Sequence, residues 1–197
     1  MKRKLNQAGF TLIELLAVIT IMGILMMVAI PSVSRVIENS RRDTFMNTAK
    51  SYLNQVRNEV LADNIACGGT DASALGEGTY YFPIATGSEF GGGTYKQQTI
   101  DLMEKGGKSA WGNGDVYGYI VWKKTSSGSQ MKTSYYAALW DKNNHGLLNV
   151  QTGGYNSSNI YGAVAEDSIT RSKVSPKLAS KPGSVTVSSG MTLCTLK

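Results

Sequence analysis

The sequence predicts an α+β fold in which a long N-terminal α-helix, kinked near Pro31, packs on a C-terminal globular head built from an antiparallel β-sheet. Three features predict it. Residues 10–30 are largely apolar, residues 46–60 repeat apolar side chains at helical spacing, and the chain after residue 66 is rich in glycine, hydroxyl and aromatic residues. Apolar residues three and four positions apart indicate an amphipathic helix, whereas aromatic and β-branched runs between turns indicate strands.

The composition excludes several classes of protein. The 197 residues are 42% hydrophobic, which is too apolar for a disordered chain. The formal net charge is +6, but three of the positive charges lie in the first nine residues, so the remaining excess is too small for a dedicated nucleic-acid binder. One histidine and two cysteines are too few for a multi-histidine metal site or a four-cysteine zinc site. We therefore expect a protein without a metal, a cofactor or a catalytic centre.

The N-terminal residues predict a membrane helix. Residues 1–9 are a short basic leader, and Phe10–Ile30 is an apolar run of 21 residues. The exceptions within the run are Thr11, Glu14, Thr20 and Gly23. An α-helix of this length rises about 30 Å, the thickness of the hydrocarbon core of a bilayer. Because the basic leader favours a cytoplasmic N-terminus with the rest of the chain exported, residues 10–31 are predicted to form a transmembrane helix.

An ordinary secretory signal peptide also combines basic residues with an apolar run. Here the run is longer than the usual apolar region of about 7–15 residues, and the best cleavage candidate, Ser32–Ser34, is poor. Glu14 lies inside the run, where a carboxylate is costly in lipid and is typical of a functional position. These features favour a helix that is retained.

The residues Gly9–Glu14 (GFTLIE) lie where the leader meets the apolar run. They resemble the class III signal sequence of type IV pilins and pseudopilins, and the resemblance covers about residues 1–60. It implies the pilin fold, removal of residues 1–9 by a prepilin peptidase that cleaves after Gly9, and N-methylation of the new terminal residue, Phe10. Gly23 and Pro31 stand where that family commonly has a helix-loosening glycine and a proline.

The resemblance implies a role in assembly for Phe10, Thr11 and Glu14. Cleavage would leave Phe10 with a free, positively charged amine in or near the bilayer. The carboxylate of Glu14, within one subunit or from a neighbour, would neutralise that amine. Alternatively, Glu14 extends its carboxylate to the membrane edge. Thr11 is either a local hydrogen-bonding residue at the helix terminus or an assembly residue, and the sequence does not separate the two.

The function that the resemblance implies is that of a structural subunit, the major pilin of a type IV pilus. The precursor would lie in the cytoplasmic membrane with its head outside. A pilus assembly platform with its ATPase machinery would then extract it into a helical homopolymer, an extracellular filament for adhesion, motility or DNA uptake. A pseudopilin of a type II secretion or competence system and a minor or tip adhesin pilin share the same N-terminal residues and stay open. A membrane-anchored enzyme is disfavoured because the sequence shows no catalytic constellation.

The helix is predicted to continue through residues 32–66. Pro31 lacks a backbone donor and predicts a kink or a local break. Beyond it, an amphipathic stripe for packing on the head comprises Met46, Ala49, Leu53, Val56 and Val60. The helix should end near Ala62, before the turn residues Cys67–Gly69. Arg41 and Arg42 are either solvated or paired between subunits, with Glu38 or Asp43 as candidate partners.

Residues 67–197 are predicted to form the β-rich head. Two strands, Tyr117–Trp122 and Ser134–Trp140, flank a turn at Thr125–Ser129, and a third follows the turn at Asp141–Gly146, which predicts an antiparallel meander. Further strands are predicted at Ser184–Ser188 and Met191–Leu196. Residues 67–115 show little regular pattern, and Arg171–Lys181 is expected to be an exposed loop.

Cys67 and Cys194 are separated by 127 residues. Outside the cytoplasm, a disulfide between them would tie the end of the chain to the base of the long helix; the alternative is two free thiols. In the usual pilin pattern two cysteines bracket a shorter C-terminal loop, so that surface loop of the family is not expected here.

The remaining signals for chemistry are weak. Asp141–Gly146 resembles the start of a calcium loop, but the twelfth position is Thr152 instead of glutamate, which favours a hairpin turn. Lys123 and Lys124 beside Trp122 would suit single-stranded DNA. Strand alternation makes core packing and ordinary surface charge the better interpretation, so nucleic acid remains a possible but unsupported partner.

Overall fold

The structure, a computed structural model, describes residues 10–84, 108–112, 114–149, 162–178 and 190–197. Gly9 with the rest of the leader, Thr152 and the predicted strand Ser184–Ser188 lie outside the described residues. The chain divides between Asn39 and Ser40 into two compact units, which are described separately below.

One long helix accounts for the N-terminal part of the described chain. Helix α1 (Leu12–Leu61) has 50 residues and contains Pro31 without interruption. Of the two outcomes expected at Pro31, a local break is therefore excluded, while a kink remains a prediction. The helix ends one residue before the predicted Ala62, and Asp63 then adopts a left-handed conformation with φ of 57°. The expectation of helix up to residue 66 is wrong, because residues 65–67 form a strand.

The first unit exposes its apolar side chains. Every large hydrophobic residue described between Phe10 and Ile37 is at least 47% exposed, and Phe10 itself is 90% exposed. By length and composition α1 is able to cross a membrane, and none of its most apolar stretch is buried. Among the described residues nothing covers this segment, so lipid or other protein chains must do so.

The second unit contains a mixed, mostly antiparallel sheet. Its described strands are β1 (Ile65–Cys67), β2 (Thr70–Asp71), β3 (Gly78–Ile84), β4 (Val116–Ser127), β5 (Gln130–Asp141), β6 (Gly146–Leu147), β7 (Val164–Ala165), β8 (Val174–Ser175) and β9 (Thr192–Leu196). Short 3-10 turns lie at Ala72–Ala74, Glu166–Ser168 and Arg171–Lys173. The strand order is β2-β1-β9-β3-β4-β5-β6-β8, with β7 paired to β5. The pairing of β3 with β9 is parallel, which makes the predicted antiparallel sheet a mixed one.

The meander predicted from the sequence is present as β4–β5–β6. Strands β4 and β5 are longer than predicted, because Thr125–Ser127 pair in register with Gln130–Lys132 and only Gly128 and Ser129 turn the chain. The β-branched Thr125 explains part of this difference, since threonine suits a strand as well as a turn.

Five described strands, β1, β2, β3, β7 and β8, appear where the sequence did not predict them, and two of them show why. Strand β3 lies in the region that seemed to lack pattern, and its residues from Tyr80 to Ile84 are all buried. A strand buried on both faces shows no alternation of polar and apolar residues, which hides it from pattern reading. The expected exposed loop at Arg171–Lys181 is wrong at Val174–Ser175, because these residues pair with β6 and Val174 is fully buried.

The sheet has a core on each face. On one face lies the buried stripe of α1, which comprises Phe45, Ala49, Tyr52, Leu53 and Val56. The predicted stripe is confirmed, with Met46 and Val60 partly buried at its edges. The prediction from the sequence did not include Phe45 and Tyr52, which also belong to the buried stripe. On β4, Ile120 packs on the helix side and Tyr119 on the opposite side, as the alternation of a strand requires.

We expect the replacement Leu53→Ala to lower the free energy of unfolding of the head by about 2–5 kcal/mol, because it opens a cavity between α1 and the sheet. The matched control is Leu61→Ala on the same helix: Leu61 is 76% exposed, and its loss should cost less than about 0.5 kcal/mol. Urea unfolding of the full chain in detergent measures both. Equal effects would show that α1 does not depend on this packing.

Candidate assembly site

The start of α1 is closed by hydrogen bonds between Thr11 and Glu14. The backbone nitrogen and the hydroxyl of Thr11 each donate to Oε2 of Glu14 at 2.8 Å. In return, the backbone nitrogen of Glu14 donates to the Thr11 hydroxyl at 3.3 Å. This reciprocal pattern, a threonine followed three residues later by a glutamate, is a capping box.

The capping box decides part of what the sequence left open. Thr11 hydrogen-bonds locally at the helix terminus, as one of its two interpretations required. Both Thr11 bonds go to the same oxygen, Oε2, and no described residue donates to Oε1 of Glu14. Among the described residues, Oε1 of Glu14 is thus left to accept from a further donor. A contact of Glu14 with the amine of Phe10 remains a prediction.

The sequence around this capped terminus matches one known family. Residues 4–30 fit the family described as the prokaryotic N-terminal methylation motif. This segment is the class III signal peptide of type IV pilins. The methylation motif supports a type IV pilin-like or pseudopilin protein and implies processing by a prepilin peptidase. Neither a curated protein nor a solved structure matches the chain.

Within the methylation motif, Gly23 has no steric role that the single chain explains. A Cβ atom built at Gly23 would have no heavy atom within 4 Å among the described residues. Glycine in a helix interior costs about 0.5–1 kcal/mol relative to alanine. If Gly23 is required, the requirement must therefore come from helix loosening or from a neighbouring chain.

The two cysteines form a disulfide bond, as predicted. Cys67 on β1 and Cys194 on β9 face each other in register, with their Cα atoms 4.0 Å apart, and both are buried. Strand β9 lies between β1 and β3, so the bond joins the end of the chain to the strand that follows α1. Two ion pairs add to this link, because Nζ of Lys197 lies 3.0 Å from Oδ2 of Asp63 and 2.9 Å from Oδ1 of Asp71.

We expect the double replacement of Cys67 and Cys194 by serine to lower the free energy of unfolding of the head by about 2–5 kcal/mol. Reduction of the wild-type chain should reproduce most of that loss, whereas the serine variant should be insensitive to reductant. Urea unfolding with and without dithiothreitol checks this. An unchanged midpoint in the variant would mean that β9 is held by its pairing alone.

A buried carboxylate organises the turn between β5 and β6. Asp141 is 2% exposed, and its Oδ1 accepts from the backbone nitrogens of Asn143 and His145 at 2.9 Å. Its Oδ2 lies 2.7 Å from His145 Nδ1 and accepts from the Ser109 hydroxyl at 2.5 Å. Both carboxylate oxygens are thus used to hold a turn, as the hairpin interpretation predicts.

The same cluster does not have the geometry of a hydrolase site. Ser109 bonds to Asp141 and not to His145, so the nucleophile–base contact of a serine, histidine and aspartate triad is missing. In the described part of the chain, no three His, Cys, Asp or Glu side chains lie close enough to hold a metal ion. The ring of His145 stacks on Trp111 with centroids 4.7 Å apart, which suits a packing role.

Other residues singled out in the sequence turn out to serve the head itself. Asp43 pairs with Arg171 in the same chain, which makes it a poor partner for Arg41 or Arg42 of another subunit. Trp122 is fully buried and cannot stack on a nucleic-acid base. The ammonium group of Lys124 donates to the backbone oxygens of Ala72 and Leu75, at 3.0 and 3.1 Å.

Asp141 should make the head sensitive to acid. Burial raises the pKa of its carboxyl, but the hydrogen bonds from Ser109 and His145 outweigh this effect and hold the pKa below its ordinary value. A carboxyl with a lowered folded-state pKa stabilises the fold above its unfolded-state pKa, and this contribution is lost as the pH falls through the folded-state pKa. We therefore expect the urea concentration at the midpoint of unfolding to decrease once the pH is below about 5.

The variant Asp141→Asn tests this assignment. It should lower the free energy of unfolding at pH 7 by about 1–3 kcal/mol and should lose less stability on acidification than the wild type. Asp167→Asn, at an exposed carboxylate, is the control and should behave as the wild type. If Asp141→Asn shows the full wild-type loss in acid, other carboxylates are responsible.

Proposed function

We propose that this chain is a structural subunit of a type IV pilus, the major pilin, which assembles into a helical surface filament through its N-terminal helix. The observation that supports this most is the exposed apolar first unit, which begins with a capped Thr11–Glu14 pair inside the methylation motif. An anchor alone needs an apolar helix; it does not need a carboxylate within that helix.

The proposed sequence begins with processing. The peptidase adds water across the bond between Gly9 and Phe10 and releases residues 1–9. A sulfonium methyl donor then gives its methyl group to the new amine of Phe10, which loses a proton. That amine carries a positive charge one residue before Thr11. Because Oε2 of Glu14 already serves Thr11, Oε1 is the oxygen that would accept from the Phe10 amine of a neighbouring subunit.

The energetics explain why such a pair would direct assembly. Moving the apolar helix from lipid into a bundle of similar helices changes little in apolar burial, so packing and polar contacts must supply the specificity. An unpaired carboxylate in the hydrocarbon region is costly, and a partner of opposite charge relieves that cost only in the correct register. Repeated head-to-tail contacts that do not close then produce a filament.

The proposed location and partners follow from this cycle. The precursor spans the cytoplasmic membrane once with its head outside, where an oxidising environment suits the bond between Cys67 and Cys194. A pilus assembly platform and its ATPase machinery extract the processed subunit into the filament. Adhesion, motility and DNA uptake are the uses that such filaments would serve.

The first test is to shear filaments from cells, image them and determine the N-terminus of the dominant subunit by mass spectrometry. We expect abundant filaments whose subunit begins at Phe10 and carries one additional methyl group. A chain that begins near Arg35 would indicate an ordinary signal peptide. Correct processing without abundant filaments would point to a pseudopilin or to a minor or tip pilin.

The second test separates the two roles of Glu14. Glutamine also completes a capping box, so Glu14→Gln should preserve the helix terminus, membrane insertion and cleavage while it removes the negative charge. We expect filament yield to fall at least about tenfold, the effect of a loss of about 1.4 kcal/mol. Thr11→Ala, which removes the hydroxyl but keeps the charge, is the matched control and should reduce the yield less.

Subunit levels in the membrane, measured by immunoblot, normalise the filament yields of these variants. If Glu14→Gln assembles as well as the wild type, the charge pair is unnecessary and the capping box is the reason for Glu14. If Thr11→Ala is the more damaging change, the helix terminus matters more than the charge.

A further inference from the structure

Strand β5 is fully paired on one side and only partly paired on the other. Strand β4 pairs with all of Gln130–Asp141. On the opposite side, β7 pairs with residues 136–137 and β6 with residues 139–140. Among the described residues no strand pairs with this side of β5 between residues 130 and 135. We call this side of residues 130–135 the open edge.

The register shows which backbone groups the open edge presents. Two residues turn the chain between β4 and β5, and the pair that closes such a turn, here Ser127 with Gln130, is hydrogen-bonded. Along an antiparallel pair of strands, hydrogen-bonded and non-hydrogen-bonded pairs then alternate. The even-numbered residues of β5 therefore bond to β4. Met131, Thr133 and Tyr135 direct their backbone N–H and C=O groups away from β4.

A cavity of about 630 Å³ lies along the open edge. It is lined by residues 132–136 of β5, by residues 165–167 and by Arg57, all of which belong to the second unit. Arg57 fixes one wall, because its guanidinium group pairs with Glu166 and lies 4.6 Å from the centroid of the Tyr135 ring. The open edge thus borders a preformed groove whose volume is in the usual range for a binding site.

The side chains beside the open edge differ between the two faces of the sheet. Met131, which is 50% exposed, lies on the face that packs against α1. Lys132 lies on the opposite face together with Tyr136 and is exposed. In the described part of the chain no carboxylate pairs with Lys132. Asp167 lines the other end of the groove, where β7 leaves the sheet.

We propose that the open edge binds an extended segment of a partner protein as an additional antiparallel strand, with an acidic residue opposite Lys132 and apolar residues toward Met131 and Thr133. Backbone N–H and C=O groups in this alternating arrangement are matched by another strand, which gives affinity, while the side chains on either face give specificity. The added strand continues along β5 in the direction of β7, from the point at which β7 ends.

The position of Lys132 decides which strand is accepted. A lysine on an edge ordinarily protects that edge from other strands. Lys132 projects from one face of the sheet and not along the edge, so it leaves the backbone groups accessible. A residue directly opposite on an added strand is its nearest neighbour, and opposite charges at such positions stabilise whereas like charges destabilise. Lys132 thus excludes a basic strand and admits an acidic one.

The experiment follows hydrogen exchange of single backbone amides by NMR, with the full chain in detergent micelles. The probe is the peptide acetyl-Lys-Thr-Thr-Val-Asp-Val-amide, whose aspartate would meet Lys132 and whose lysine would lie toward Asp167. Without peptide, the amides of Met131, Thr133 and Tyr135 should exchange faster than those of their even-numbered neighbours. At about 2 mM peptide they should slow at least about threefold, as a dissociation constant of about 1 mM or tighter requires.

Two altered peptides test the chemistry of the contact. Replacing the aspartate by lysine should abolish the slowing, because two lysines would then lie opposite each other. Replacing the first valine by proline should abolish it too, since proline lacks the N–H that would donate to the backbone oxygen of Thr133. If either altered peptide acts as well as the original, the binding is not that of an acidic strand and the proposal is overturned.

A charge reversal in the protein completes the test. The variant Lys132→Glu should lose the response to the aspartate peptide and respond to the lysine peptide. The matched control is Lys123→Glu, which reverses the same charge on β4, on the same face of the sheet but away from the open edge. It should keep the preference for aspartate. If both variants change preference alike, net charge is responsible and the proposal is overturned.

Three further outcomes would also overturn this contact. They are slow exchange of the outward amides without peptide, no slowing by the aspartate peptide, and slowing that rises with the concentration of the chain alone. The last would identify a second copy of the chain as the occupant. The open edge lies on the head and not on the N-terminal helix segment of the first unit, so none of these results bears on the proposed pilin function.

Discussion

The exposed apolar surface of the first unit is the constraint on which the rest of this protein depends. Between Phe10 and Ile37 no large hydrophobic side chain is less than 47% exposed. A helix of this kind is stable only in lipid or against other chains, because water would penalise each of its apolar residues. In the function that we propose, the helix passes from lipid into a bundle of similar helices, and the head stays folded while it does so.

Glu14 gives the apolar segment a defined end and, in the assembly that we propose, a partner. Its Oε2 completes the helix terminus with Thr11, while its Oε1 remains available for a second donor. One side chain thus links local helix chemistry to the assembly that we propose. In the function that we propose, cleavage after Gly9 matters physically because it creates a positive charge at Phe10 for Glu14 to pair with.

The head is built to hold α1 independently of what surrounds the first unit. The stripe from Phe45 to Val56 packs on one face of the sheet, and a second core covers the other face. Strand β9, locked by the Cys67–Cys194 bond, joins β1 to β3. Asp141 ties the β5–β6 turn to Ser109, and Asp43 ties α1 to the turn that carries Arg171.

The sequence by itself determined the features that depend on near neighbours in the chain. The apolar run, the helical stripe from Met46 to Val60 and the β4–β5–β6 meander follow from short-range periodicity, whereas the local role of Thr11 stayed open until the structure showed its bonds to Glu14. Tertiary structure decided what depends on distant partners: the parallel pairing of β9 with β3, the burial of Val174, and the ion pair of Asp43 with Arg171, 128 residues away. It also decided in favour of the disulfide over two free thiols. The physical reason is that hydrogen bonds and charges between remote segments are specified by the packed fold, and no local pattern records them.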